Sequence, residues 1–202
     1  MNLQGQNIVV FDLEIKNVID GKNVTWKTYD KMGISVGCLF DFRTMDYNVY
    51  LDDNIEKLGQ RLFDADLVVG FNINGFDLPL LKGTPDAKFI GLPDDVKVYD
   101  LLYFSRIAVG YQPDLDYSKY PSGLKLDDHL EGTFGVENKK TDNGANAPIL
   151  YQEKKMGALI SYCLADVKRE TKLFAHVWDG KPVITKTHGA KVLRAPQQFL
   201  EV

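Results

Sequence analysis

Four acidic side chains in three separate segments of the chain could bind cations together. The first two, Asp12 and Glu14, interrupt the apolar run VVFDLEI at residues 9–15. Alternate residues of a β-strand point to the same face, so these carboxylates would lie side by side, where they repel each other and resist the loss of water. A bound cation would relieve that repulsion. Taken alone, a pair of this kind is more often the solvated end of a strand.

The third and fourth acids come from a turn and from a late helix. Asp77 ends the stretch GFNINGFD, whose glycines allow tight turns, and its alternative interpretation is a helix N-cap. Asp166 follows Tyr162 by four residues in a predicted helix, so both side chains share one face. By itself, that pair is more often a hydrogen bond at the edge of a core.

The combination of these acids indicates more than each one alone. Hard divalent cations need several carboxylate oxygens that converge from different elements of the fold. A strand, a turn and a helix can supply that convergence here. The residues therefore predict a site for two divalent cations.

The elements that must position these acids can be predicted from hydrophobic patterns and turn residues. Strands are predicted at 7–15, 32–42, 46–52, 67–72 and 96–100, and the first three would form an antiparallel meander. A tail at 181–196 alternates like two short strands around His188 and Gly189. Strands first, then alternating helices and strands, indicate an α/β fold with a mixed sheet. We expect one domain over residues 1–202, with 179–202 as a C-terminal β extension.

Helices are predicted from caps and apolar stripes. One begins at Asp53 with Glu56 three residues later, which resembles a capping box, and another begins with Ser122 as its cap and ends before Gly135. A long helix is predicted from Met156 to Trp178. Residues 137–147 are polar and lack periodicity, which predicts a flexible loop.

Composition limits the classes of protein without choosing one. The 202 residues carry a net charge of −4, with 11 basic and 18 acidic residues in 1–118 but 13 basic and 10 acidic residues in 119–202. This asymmetry permits a polyanionic ligand, although a solvated surface explains it equally well. We expect no membrane span and no signal peptide. Cys38 and Cys163 are expected to be reduced core residues of a cytoplasmic protein.

The stretches FDLE, NINGFD and YCLAD, in this order, resemble the three exonuclease motifs of the DEDD superfamily of 3′–5′ exonucleases. The resemblance extends over residues 8–174 and implies a ribonuclease-H-like mixed β-sheet, an antiparallel meander plus parallel strands, flanked by α-helices. The four acids of the superfamily correspond to Asp12, Glu14, Asp77 and Asp166. One branch has a histidine five residues before the last Asp and the other a tyrosine four residues before it. With Ser161 and Tyr162 at these positions, the chain resembles the tyrosine (DEDDy) branch, including stand-alone exonucleases related to B-family polymerase proofreading domains.

The resemblance implies hydrolysis of single-stranded nucleic acid, DNA favoured over RNA, from the 3′ end to nucleoside 5′-monophosphates. The implied cofactors are two divalent cations, Mg²⁺ or Mn²⁺. Asp12 would bridge both ions, Glu14 and Asp166 would complete the shell of the first, and Asp77 would support the second. Tyr162 would orient the attacking water with help from Glu14. The implied partners are 3′ ends of single-stranded DNA or RNA and replication or repair proteins, and no membrane partner is expected.

The candidates for substrate binding are Leu13, Asn72 and Phe76 at the terminal nucleotide and Lys168 and Arg169 along the phosphates. An aromatic ring can stack on any base, which suits a sequence-tolerant enzyme. Core packing explains Leu13 and Phe76 at least as well. A solvated helix face is the commoner explanation for the two basic residues.

Three other functions remain open at this point. A nucleic-acid-binding module without activity could have the same fold, a structure-specific endonuclease would cut circular single strands, and a phosphodiesterase could act on small nucleotides. One residue also departs from the pattern, because many relatives have Thr or Ser where this chain has Ile15. That difference affects the expected recognition of the 3′ end more than the binding of metal.

Overall fold

The observed strands and helices follow the hydrophobic pattern of the sequence. In the computed structural model, which describes residues 2–112, 120–135 and 146–200, the strands are β1 (Ile8–Ile15), β2 (Ile34–Asp41), β3 (Asp46–Leu51), β4 (Leu67–Gly70), β5 (Lys97–Asp100), β6 (Val183–Thr185) and β7 (Gly189–Lys191). The helices are α1 (Tyr29–Met32), α2 (Ile55–Phe63), α3 (Asp77–Gly83), α4 (Leu101–Ala108), α5 (Leu126–Phe134), α6 (Ala147–Gln152) and α7 (Met156–Trp178). The five predicted strands, the long helix α7 and the terminal strand pair are all present. The predicted loop at 137–147 lies largely outside the described residues, and its last residue begins α6.

The main sheet has five strands in the order β3-β2-β1-β4-β5. β1 pairs antiparallel with β2, and β2 pairs antiparallel with β3, which is the predicted meander. On its other side β1 pairs parallel with β4, and β4 pairs parallel with β5. The predicted α/β fold with a mixed sheet is confirmed. β6 and β7 form a separate hairpin, which packs against α5.

The central strand β1 buries both of its faces in two different apolar clusters. Ile8 and Val10 belong to the cluster that contains the buried face of α7. Val9 and Phe11 belong to the cluster on the opposite face, with α2 and α3. Because side chains alternate along a strand, Asp12 continues the face that packs against α7.

The helix α7 presents one mixed stripe to the sheet. Its buried residues at spacings of three and four are Leu159, Tyr162, Cys163, Asp166, Val167, Glu170, Leu173, Phe174 and Val177. Such spacing is that of one face of an α-helix. Three polar side chains, those of Tyr162, Asp166 and Glu170, thus lie in a stripe that is otherwise apolar.

Two predicted helix caps are wrong. α2 begins at Ile55 rather than after Asp53, and the side chain of Asn54 instead accepts a hydrogen bond from Leu51 N–H at 2.8 Å. α5 begins at Leu126 rather than after Ser122, because the chain first turns at Gly123 with a φ of 71°. The carboxylate of Asp128 then accepts from the N–H of the residue before the helix, at 2.9 Å.

The two cysteines lie in the core, as expected. Cys38 and Cys163 are both buried and free. Within the part of the chain that the structure describes, no helix combines the length and the apolar character that crossing a bilayer requires.

Candidate active site

The strand β1 carries Asp12 and Glu14 at its C-terminal end, on the face toward α7. Asp12 is half-buried and Glu14 is buried. One carboxylate oxygen from each of them lies within 4.8 Å of the other and of Sγ of Cys163 on α7. The thiol of Cys163 hydrogen-bonds to the backbone oxygen of Asp12 at 3.4 Å and approaches its Oδ2 at 3.7 Å. The late helix therefore lies directly against the acidic end of the strand.

The chemistry of Cys163 favours a role as a neighbour of the acids over a role as a ligand. Burial raises the pKa of its thiol well above the usual value, and hydrogen bonding with Cys38 and the charges of Asp12 and Glu14 raise it further. A thiol that keeps its proton donates hydrogen bonds, whereas metals bind the thiolate. Carboxylate oxygens are then the available donors, which suits hard cations.

Asp77 connects the turn before α3 to the same strand. It is the first residue of α3 and is 3% exposed, and its Oδ1 accepts a hydrogen bond from Leu13 N–H at 3.2 Å. Burial raises the pKa of Asp77 well above the usual value, and the charge of Asp12 raises it further, against the opposing effect of that hydrogen bond. Asp77 thus contacts β1 beside Asp12 and does not act as the N-cap of its helix, a position that Phe76 occupies.

Tyr162 and Asp166 lie one turn apart on the buried stripe of α7, as the spacing predicts. Oδ1 of Asp166 accepts a hydrogen bond from Arg169 at 2.9 Å, and the same guanidinium pairs with Asp127 of α5. The side chain of Arg169 is only 15% exposed. The structure therefore brings Arg169 to the acids, as a counter-charge, and away from open solvent.

Lys168 is not brought to the site. Two residues along an α-helix turn by about 200°, so Lys168 points almost opposite to Asp166. Its ammonium lies 5.5 Å from the ring centre of Tyr47 on the edge strand β3. Lys168 remains exposed there.

A cleft of about 710 Å³ opens beside Glu14. The predicted substrate residues Leu13, Asn72 and Phe76 all line it, although Leu13 is 3% exposed and packs mainly in the core. Trp26, which is 65% exposed, also lines the cleft, and its ring meets that of Phe76 edge to face with centres 5.8 Å apart. The cleft is thus lined by the Glu14 carboxylate and by the aromatic rings of Trp26 and Phe76.

Asp100, at the end of β5, holds the turn that carries Asn72. Its carboxylate accepts hydrogen bonds from the backbone N–H groups of Asn72 and Asn74, at 2.9 and 3.0 Å, and from two N–H groups at the start of α4. Asn72 itself adopts a φ of 68°, a conformation that asparagine tolerates better than most residues. Asp100 therefore positions the turn through the backbone of Asn72 and Asn74 and does not itself line the cleft.

Sequence reasoning missed three residues that the structure relates to this site. The sequence could have indicated Asp100 as a helix cap, since it directly precedes the helix LLYFSR. It could also have indicated Glu170, because this residue falls on the apolar stripe of α7 one turn after Asp166. Trp26 had no such signal, because only the tertiary structure brings it to Phe76.

The residues present fit a site for hard divalent cations. β1 contributes two carboxylates, Asp77 contacts β1 from the start of α3, and Asp166 lies on the buried face of α7, which packs against β1. Several carboxylates from different elements are the donor set that such ions require. In addition, Oε2 of Glu170 is buried and has no hydrogen-bond partner among the residues that the structure describes. An orphaned buried carboxylate oxygen is costly, and a bound cation is one partner that would offset this cost.

No protein-family model matches this chain, and no curated protein matches it. Among solved structures it is similar to the family B DNA polymerase from the hyperthermophilic archaeon Pyrobaculum calidifontis, with a TM-score of 0.60 and 18% identity, over 84% of this chain and 24% of the polymerase chain. It is also similar to the Aedes aegypti Nibbler EXO domain, with a TM-score of 0.43 and 17% identity, over 85% of this chain and 81% of that one. The chain thus spans about a quarter of the polymerase. The likeness to the polymerase shows the fold, the ribonuclease-H-like mixed sheet flanked by helices.

Proposed function

We propose that this protein is a metal-dependent 3′–5′ exonuclease of the tyrosine branch of the DEDD superfamily. The observation that carries the proposal is the meeting of Asp12 and Glu14 with Asp77 and with the Tyr162–Asp166 face of α7, at the mouth of an aromatic-lined cleft. Four acids from three motifs in the right order would be a coincidence in a protein that merely binds nucleic acid. The fold agrees with the proposal but does not carry it.

The four acids would hold two divalent cations, Mg²⁺ or Mn²⁺. Asp12 and Glu14 on the central strand, Asp77 at the start of α3 and Asp166 on α7 are the residues that would hold them. When bound, the ions would make water nucleophilic near neutral pH and stabilise the charge on the leaving 3′ oxygen. Tyr162 would orient the attacking water from the buried stripe of α7.

The cleft beside Glu14 is suited to a nucleotide at the end of a strand. Phe76 offers a ring for stacking, and Leu13 and Asn72 flank it. Stacking on aromatic side chains is sequence-tolerant because every base has a π-face. Such a cleft favours an unpaired 3′ end over a base pair in a duplex.

Digestion of end-labelled strands tests the proposal. Single-stranded DNA and RNA of equal sequence, labelled at the 5′ end, are incubated with Mg²⁺, Mn²⁺ or EDTA, beside a circular single strand. We expect a ladder that shortens by one nucleotide at a time from the 3′ end, with metal and not with EDTA, and no cutting of the circle. Cutting of the circle would identify an endonuclease, and binding without cleavage would identify a binding module.

We further expect Trp26 to contribute to binding of the base. Stacking of a base on an aromatic ring contributes about 1–3 kcal/mol, so Trp26→Ala should raise KM about tenfold, and more than it lowers kcat. Phe63→Ala is the matched control, because Phe63 is also an exposed aromatic residue but lies on α2. Trp26 is exposed and Trp178 is 3% exposed, so binding of single-stranded DNA to an inactive variant should quench fluorescence mainly from Trp26. Equal KM values for both alanine variants would contradict this role.

A further inference from the structure

Glu170 is a fifth buried acid next to the four that sequence motifs identify. It lies on α7, one turn beyond Asp166, and is only 3% exposed. A Cβ atom placed on Gly70, at the end of β4, would lie 3.6 Å from Oε2 of Glu170 and 2.9 Å from the backbone oxygen of Phe11. The carboxylate therefore lies beneath the sheet end of the site, next to the residue that precedes Asp12.

The charge of Glu170 lies among other acids, and it interacts with the opposite charge of the neighbouring Arg169. Oε2 is buried without a hydrogen-bond partner among the described residues. The neighbouring Arg169 directs its guanidinium to Asp166 and Asp127. Burial raises the pKa of Glu170 well above the usual value, and so do the charges of its neighbours Asp12, Asp77, Asp166 and Asp100.

A purely structural role does not explain this residue. A buried carboxylate oxygen without a hydrogen-bond partner costs free energy in the folded state, and an apolar residue on the same stripe would pack there at no such cost. The cost disappears when positive charge binds nearby, because charges interact strongly across a poorly hydrated interior. The position therefore makes sense if the site binds cations.

We propose that Glu170 is a positioning residue of the acidic centre that raises its affinity for divalent cations through its charge, from the layer behind Asp12 and Asp166. This inference rests on the proposed function, since it assumes that the four acids bind metal. It assigns Glu170 no contact with substrate. Outer-layer partners of metal sites typically contribute about 10- to 100-fold in metal affinity.

Measurement of Mn²⁺ binding by calorimetry tests the inference without any substrate. We expect Glu170→Gln to weaken the affinity for Mn²⁺ about 10- to 100-fold, whereas Glu170→Asp, which keeps the charge, stays within a few-fold of the wild type. The matched control is Glu56→Gln, which removes the same charge from an exposed ion pair with Lys88 on α2, across the sheet. It should bind Mn²⁺ as the wild type does.

Thermal unfolding separates this role from a structural one. In EDTA, Glu170→Gln should melt about 2–4 °C higher than the wild type, because the variant no longer buries a carboxylate among other acids. Added Mn²⁺ should raise its melting temperature less than that of the wild type. Equal Mn²⁺ affinity, or equal loss of stability with EDTA and with Mn²⁺, would overturn the inference. If the wild type digests strands only with metal while Glu170→Gln binds Mn²⁺ normally, the inference about Glu170 fails and the proposed function stands. If the wild type binds no divalent cation, both the inference and the proposed function fail.

Discussion

Asp12→Ala should lower the rate of nucleotide release at least about 10³-fold while the fold stays intact, because the proposed ions contribute several kcal/mol to the reaction. Asp12 is the acid at the centre of the site. It meets Cys163 of α7, and its charge raises the pKa values of both Asp77 and Glu170. Its removal would take away a carboxylate that the proposed ions need.

The Asp12→Ala variant should lose its activity without losing its stability. Removing one of several acids that repel each other should leave the melting temperature in EDTA equal or higher, and Cys163 keeps the backbone oxygen at position 12 as an acceptor. Added Mn²⁺ should stabilise the variant less than the wild type. Rates of nucleotide release and thermal melts, with and without Mn²⁺, measure both effects.

Asp95→Ala is the matched control for this variant. Asp95 is exposed in the loop before β5, so the same substitution removes the same charge outside the site. We expect normal turnover from the control. Normal turnover from Asp12→Ala itself would contradict the assignment of the whole acidic site.

Tyr162→Phe should lower kcat about 100-fold, because the hydroxyl that would orient the attacking water is lost and a displacement of about 1 Å can have an effect of this size. The substitution removes only the hydroxyl, and the ring of Tyr162 is already 9% exposed and part of the buried stripe of α7. The affinity for Mn²⁺ and the melting temperature should therefore change little. That combination separates Tyr162 from Glu170, whose substitution should act on metal affinity.

Tyr103→Phe is the control for the loss of a hydroxyl. Tyr103 is a partly exposed residue of α4. Single-turnover measurements with saturating Mn²⁺ report the chemical step directly for both variants. If Tyr162→Phe reacted as fast as Tyr103→Phe, the role of the tyrosine would be wrong, and the acids alone would have to account for the reaction.

Local sequence was sufficient for most of the fold. The run VVFDLEI is apolar enough to be a central strand, and the stripe from Leu159 to Val177 recurs at helical spacing, so β1 and α7 follow from pattern alone. Local sequence failed at helix starts such as Ser122, where the turn at Gly123 delays α5 by several residues. Capping depends on backbone torsions that composition does not specify.

The sequence by itself predicted which acids would act together, because Asp12, Asp77 and Asp166 occur in three stretches that resemble ordered exonuclease motifs. Only the tertiary structure decided what surrounds them. Arg169 of α7 pairs with Asp127 of α5, and Trp26 meets Phe76 across the cleft, although neither contact leaves a trace in local spacing. The reason is that periodicity reports which face of an element is buried, whereas the partners of a buried charge are set by distances between elements that lie far apart in the chain.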